Sequence, residues 1–345
     1  RLGLLLIGFT AFMFLGGAVG LWPGGTFTFL IRRWLPMLPV FFIGGAFVRS
    51  AEQLQRVAAL LGIGFLAAAA STLIFGKEVG FGRVAADTTY GNSNDLAMIC
   101  LFGAPPAIWL ASQRSAGLLV RLAPLGLLAA SAPVFVRTGS RAGILVAGIV
   151  GVYLLFRLPP RARSRFFIAA AVVLPLGLAL TPRYILDRYA TLAVFFFSAP
   201  DPIADEAGPA DEYRPDQRNV GSAIGSAEGR FELLKRSIEV TFENPIAGVG
   251  AGMFMVAENE LAVESGQRRG SWHVSHNMYT EVSSETGLVG FALWISILIS
   301  TWRIFSRAEK LDPRLSPIAS QLRSIALPLR ISLLVYLLFG VTLSM

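Results

Sequence analysis

The sequence predicts an all-α fold, a polytopic transmembrane helical bundle. Two observations carry that prediction. The 345 residues are 54% hydrophobic and 15% charged, against roughly 25% charged in soluble domains, and the mean hydropathy is +0.60. The apolar residues also fall in blocks of about 20, the length that crosses a bilayer core as helix. A transmembrane barrel would alternate apolar and polar residues instead.

Nine spans are read in chain order. The first covers 2–22, and Pro23-Gly24-Gly25 turns the chain. The second is 27–48, with Arg32 and Arg33 near its start. A basic loop, 49–56, leads to the third, 57–75. A polar loop, 76–95, ends in Tyr-Gly-Asn-Ser-Asn-Asp and opens the fourth, 96–111. The fifth is 118–136, and the turn 137–143 leads straight into the sixth, 144–156. Residues 157–165 are short and basic, and the seventh span is 166–180. A long loop, 181–286, precedes the eighth, 287–304, and the last runs from about 324 to the end. Arg1 and Met345 both fall inside apolar runs, so both ends read as trimmed, with further spans expected beyond them. The whole chain, 1–345, reads as a single membrane-embedded domain.

The charge is +8 overall but unevenly placed. Residues 182–274 hold nine Lys/Arg and fourteen Asp/Glu, a net −5, which leaves +13 elsewhere. The loops 49–56, 113–121, 157–165 and 302–323 are short and basic, the mark of the cytoplasmic side. The loops 76–95, 137–143 and 181–286 then face outward. Arg32 and Arg33 fall on the wrong side of that scheme; a polar cavity or a misread first hairpin would account for them. No basic stripe is interleaved with aromatics, so nucleic acid is not expected as a partner. One cysteine, Cys100, excludes an intrachain disulfide, and two histidines with it make no conventional zinc site. No metal or other cofactor is expected.

The long loop is patterned. Residues 199–217 hold four prolines and six acids against one arginine, the composition of a solvated segment. Residues 228–242 read as an amphipathic helix, with Phe231, Leu234, Ile238 and Phe242 on one face. Asn244-Pro245 stops it, the glycines of 248–252 form a tight turn, and a second short helix covers 253–264. Lys235 and Arg236 read as a solvated face.

Four residues stand out as chemistry. His276 begins the stretch where the long loop re-enters the membrane, and a neutral imidazole takes up a proton near physiological pH. The plainer reading is a histidine that caps or packs a re-entry helix. Asn277 follows it as a supporting residue. Arg141 sits between Ser140 and Gly143 at the end of two spans, where a charge needs a partner or a water-filled cavity. A guanidinium there suits phosphate oxygens; the alternative is an arginine reaching for lipid headgroups. Arg230 opens the amphipathic helix against the macrodipole, which asks for a diphosphate or an ion pair as the reason. Asn92, Asn94 and Asp95 read as helix caps.

These residues and their order resemble the O-antigen ligase and O-antigen polymerase superfamily of bacterial envelope glycosyltransferases. The match consists of His276, Asn277, nine residues, then Gly287-Leu288-Val289-Gly290, with YGNSNDLA before the fourth span, TGSRAGILV entering the sixth, and EGRFELLKRSIEVTFENPIAGVGAGMF in the long loop. It covers the chain from about residue 30 onward. The single motifs are short; their order and spacing are the specific part. The resemblance implies a glycan donor carried on undecaprenyl diphosphate at the outer face of the bacterial inner membrane. The implied acceptor is a hydroxyl of lipid A-core, of another glycan or of a protein. It further implies a metal-independent, inverting transfer on the periplasmic side, with His276 as base and Arg230 and Arg141 holding the diphosphate. Lipopolysaccharide and exopolysaccharide synthesis are the settings for such an enzyme. A repeat-unit polymerase and a protein O-oligosaccharyltransferase remain as alternatives. The non-enzyme alternative is a polysaccharide transporter or flippase, which should instead show ionisable groups or broken helices near the midplane.

Overall fold

A computed structural model describes residues 1–79, 82–87, 91–113, 115–164, 181–197 and 215–341, together with residues 167 and 171. Helices account for most of it. In order they are α1 (Leu2–Val19), α2 (Pro23–Phe29), α3 (Met37–Phe47), α4 (Ala51–Phe75), α5 (Ser93–Ser112), α6 (Leu118–Arg137) and α7 (Arg141–Arg157). They continue with α8 (Arg183–Phe197), α9 (Pro215–Glu243), α10 (Phe254–Glu264), α11 (Met278–Ala308) and α12 (Pro317–Phe339). A π-turn, Leu30–Trp34, joins α2 to α3 and carries Arg32 and Arg33 exposed midway along one long apolar segment. They lie within helix and form no loop.

Among the described residues seven helical segments are long and apolar enough to cross a membrane: α1, Pro23–Phe47, α4, α5, α6, α11 and α12. The bundle class follows. The sixth expected span is α7, whose 17 residues make about 25 Å of helix, the lower end of a spanning length. The seventh, 166–180, lies outside the described residues, as does most of the acidic segment 199–217. Side chains such as Val40, Ile74 and Phe156 are exposed on these helices, an arrangement that suits lipid and not water.

The chain divides into two compact units, 1–58 with 229–345, and 59–228. In the second, α5 packs on α6 and α7, around a core of Ala69, Leu96, Ile99, Cys100 and Val134. A short hairpin, Lys77–Val79 paired antiparallel with Arg83–Ala85, occupies the polar loop before α5; three-residue strands left no alternation to read. Asn92 caps α5 as expected, its side chain accepting from the Asn94 N–H at 2.9 Å.

In the first unit, α1 packs along α11, and α11 along α12. Phe9, Met13, Leu30, Met278, Val282 and Trp294 form the core. Ser316 caps α12 through the Ala319 N–H at 3.1 Å, with Pro317 at the first helical position, where its missing N–H costs nothing. One ionic pair lies low in this bundle: Arg330 Nε and Glu309 Oε1 are 3.1 Å apart, both nearly buried.

Candidate functional site

The polar helix expected after His276 is the first part of α11. At Gly287 the helix breaks, with φ +64 and ψ −177, before the apolar stretch continues. The break is filled by main chain. Leu288 donates to the Pro245 carbonyl at 2.7 Å, Val249 to that of Ser284 at 3.0 Å, and Gly250 to that of Glu285 at 3.0 Å. A Cβ on Gly287 would stand 2.4 Å from the Ile246 carbonyl oxygen, and one on Gly248 2.3 Å from the Glu285 carbonyl carbon. Both glycines also hold positive φ, so no other residue fits either position without strain. Glu285 adds a side-chain tie: its carboxylate accepts from Gly252 at 2.8 Å and from Phe254 at 3.2 Å. It therefore caps α10, which lacks a capping side chain of its own.

His276 precedes this arrangement. The helix starts two residues later than expected, at Met278, with Asn277 as its cap. The Asn277 side chain accepts from Tyr279 at 3.0 Å and from Thr280 at 3.3 Å. His276 stands just outside the helix, half-buried, with φ +57. Tyr279 does not share its side; its hydroxyl donates to the Leu337 carbonyl at 2.8 Å. The buried Ser275 hydroxyl donates to the Asn277 carbonyl at 2.8 Å and fixes the residues on both flanks. Among the described residues Trp272 and His276 are the two non-glycines with positive φ. Such strain persists only where surroundings enforce it, and it gathers at functional sites.

At Trp272 what enforces it is a buried ionic pair. Glu258 is 1% exposed. Its carboxylate takes Arg236 Nη1 at 2.6 Å, the Ser271 N–H at 3.0 Å and the Trp272 N–H at 3.1 Å. Asn259 adds the Gly270 N–H at 2.9 Å. Arg236 is thus no solvated residue: it is 8% exposed and lies inside the unit. Sequence reading missed both partners. The signal was the i, i+4 pair of Glu232 and Arg236 (3.2 Å), read as surface because nothing local shows a partner 22 residues on.

The helix that carries Arg236 corrects two further expectations. It begins at Pro215, so Arg230 lies mid-helix and does not oppose a macrodipole. Its buried face is Leu233, Arg236, Ser237, Val240 and Thr241, not the apolar set. Thr241 and Ser283 share a hydroxyl hydrogen bond at 2.9 Å, a close approach that small polar side chains permit. Phe231, Ile238 and Phe242 are left exposed.

Arg230 lies near enough for its charge to act on the His276 imidazole. Burial pushes the His276 imidazole below its ordinary pKa, and the charges of Arg230 and His273 push it the same way. Burial also lowers Arg230. The His273 and His276 rings lie 6.5 Å apart. Each of these influences favours the neutral imidazole.

Arg141 belongs to the other unit. It is the first residue of α7, after Ser140, whose hydroxyl caps the helix through the Gly143 N–H at 3.0 Å. Ser140 also donates to Asn94 Oδ1 at 2.8 Å. Arg83 donates to the Thr138 carbonyl at 2.7 Å and Arg188 to that of Gly139 at 2.9 Å. The turn before Arg141 is thus held by two guanidinium groups that sequence reading did not single out, each distant in sequence.

Residues 125–295 match the family model described as O-antigen ligase. No curated protein matches the chain.

Proposed function

We propose that this chain, which carries an O-antigen ligase domain across residues 125–295, moves a glycan from a lipid diphosphate to a hydroxyl acceptor, with His276 as the base. The match of residues 125–295 to the O-antigen ligase family model and the long apolar helices support a multi-pass membrane protein of the ligase or polymerase type. The donor class, the acceptor and the roles of individual residues are our reading.

What carries the reading is the half-buried His276, held at positive φ just before α11, with burial and the Arg230 charge both favouring its neutral form. The acceptor oxygen attacks the anomeric carbon and its proton passes to the imidazole. The bond from that carbon to the diphosphate oxygen breaks, and both electrons leave with the lipid diphosphate. Attack from the face opposite the leaving group inverts the centre. The growing negative charge needs a counter-charge in place beforehand. Arg230 supplies it, and a guanidinium can grip two phosphate oxygens at once. Arg141 is taken as a second diphosphate ligand from its sequence context. Asn277 orients the base by fixing the start of α11. The donor is read as glycan on undecaprenyl diphosphate, at the periplasmic face of the inner membrane. The acceptor is read as a hydroxyl of lipid A-core, glycan or protein.

His276→Ala tests this. The protein should enter membranes and unfold at an unchanged temperature, yet consume no lipid-linked glycan. Turnover near the unsubstituted level would remove His276 from the mechanism.

A further inference from the structure

We propose that the exposed face of α9 rests on the phospholipid surface at the end of the first unit that carries His276. The face is an apolar stripe. Phe231, Ile238 and Phe242 fall within about 40° of one another on a helix of 3.6 residues per turn. They are 58%, 42% and 71% exposed, and Ile246, just past the helix, is 71% exposed. The two edges of the stripe differ. Glu228, Glu232, Glu239 and Glu243, all exposed, occupy one edge. Arg230 lies about 100° from Phe231 on the other. Lys235 lies between the stripe and the acids, its Nζ 4.7 Å over the Phe231 ring. An ammonium held over an aromatic ring is a cation–π contact, and basic side chains beside an apolar stripe are usual on interfacial helices.

The occupant is lipid because of where the stripe ends. Leu288, the first residue of the apolar part of α11, donates to the Pro245 carbonyl at 2.7 Å. The Ala247 carbonyl oxygen would meet a Cβ on Gly16 at 3.0 Å, and Leu21 donates to the Val249 carbonyl at 2.9 Å. Residues 245–249 therefore sit at the last turn of one candidate span and the point of entry of another. Leu288 and Val289 are themselves exposed there. Ile246, Phe242, Ile238 and Phe231 prolong that lipid-facing surface away from the spans. The acids turn to water on one side of the helix, and Arg230 lies on the other.

The test reads position and not turnover, so it stands or falls apart from the catalytic reading. Single variants Phe231→Cys, Ile238→Cys, Phe242→Cys, Ile246→Cys and Glu239→Cys are labelled with a small environment-sensitive fluorophore. The full chain is then placed in vesicles of phosphatidylethanolamine and phosphatidylglycerol. Cys100 is buried, and the unsubstituted protein gives the labelling background. Brominated lipid should quench the labels at 238, 242 and 246 several-fold more strongly than the label at 239. Aqueous iodide should show the reverse order. Equal iodide quenching at 239, 242 and 246 overturns the proposal. So does shielding of 242 and 246 from both quenchers, which would mean that protein covers the face. Four positions on one stripe keep the test decisive if one variant fails to fold.

Discussion

Glu258→Ala tests whether the buried ionic pair holds the His276 loop in its strained form. The substitution removes one carboxylate and three hydrogen bonds, at 2.6, 3.0 and 3.1 Å. Arg236, 8% exposed, keeps Glu232, whose carboxylate is on the surface, and the main-chain carbonyl of residue 258 at 3.5 Å. Leaving one member of a buried pair costs about 3–5 kcal/mol. The two released N–H groups add to that only if they stay dry, since each is worth about 1–3 kcal/mol when left unpaired. A loss of about 3–5 kcal/mol is therefore expected, read as a lowered unfolding temperature in detergent. The second readout is turnover. With the Ser271 and Trp272 N–H groups free, Trp272 and His276 relax from positive φ, each relieving about 1–3 kcal/mol of strain. A base displaced by about 1 Å loses roughly a hundredfold in rate, and the loss should appear in kcat with little change in KM. Replacing both partners by apolar residues, Glu258→Leu with Arg236→Met, should recover stability but not rate. Glu258→Ala with unfolding temperature and kcat both near the unsubstituted values would refute the reasoning.

Other outcomes follow from the same geometry. The base works in its neutral form, and its pKa lies below the ordinary histidine value. The rate should therefore fall only on the acid side of that value. His273→Gln removes a charge that opposes protonation of His276, so the acid limb should move to higher pH; an unmoved limb would exclude His276 as the titrating group. Gly287→Ala forces a Cβ to within 2.4 Å of the Ile246 carbonyl at φ +64. It should cost at least about 1–3 kcal/mol, seen as a lowered unfolding temperature. If guanidinium groups supply the counter-charge, a chelator should leave turnover of lipid-linked glycan unchanged, and a rate restored only by added Mg²⁺ would contradict this.

Some of this was legible in sequence and some was not, for identifiable reasons. The spans could be read because lipid rewards long apolar runs whatever their neighbours. The start of the apolar stretch at Gly287 could be read from the change of composition there, but the break in the helix could not. The face of α9 was misread because apolar periodicity marks a surface that avoids water, and in a membrane protein that surface need not be core. Ser237 and Thr241, the residues that do pack, look polar in sequence and are small enough to hide. Arg230 was placed at a helix start because the helix runs back into a segment whose composition suggests none. Glu258 and Arg236 went unseen because a pair 22 residues apart across two helices leaves no local pattern.

The turn of glycines at 248–252 is fastened to the kink in α11 almost wholly through peptide groups. Apart from the Glu285 carboxylate, which holds Gly252 and Phe254, that fastening does not depend on which side chains the neighbouring positions carry. The rim around His276 can therefore exchange its surface residues while the frame beneath keeps its shape. Only the hydrogen-sized side chains at the crossing points are barred from such drift.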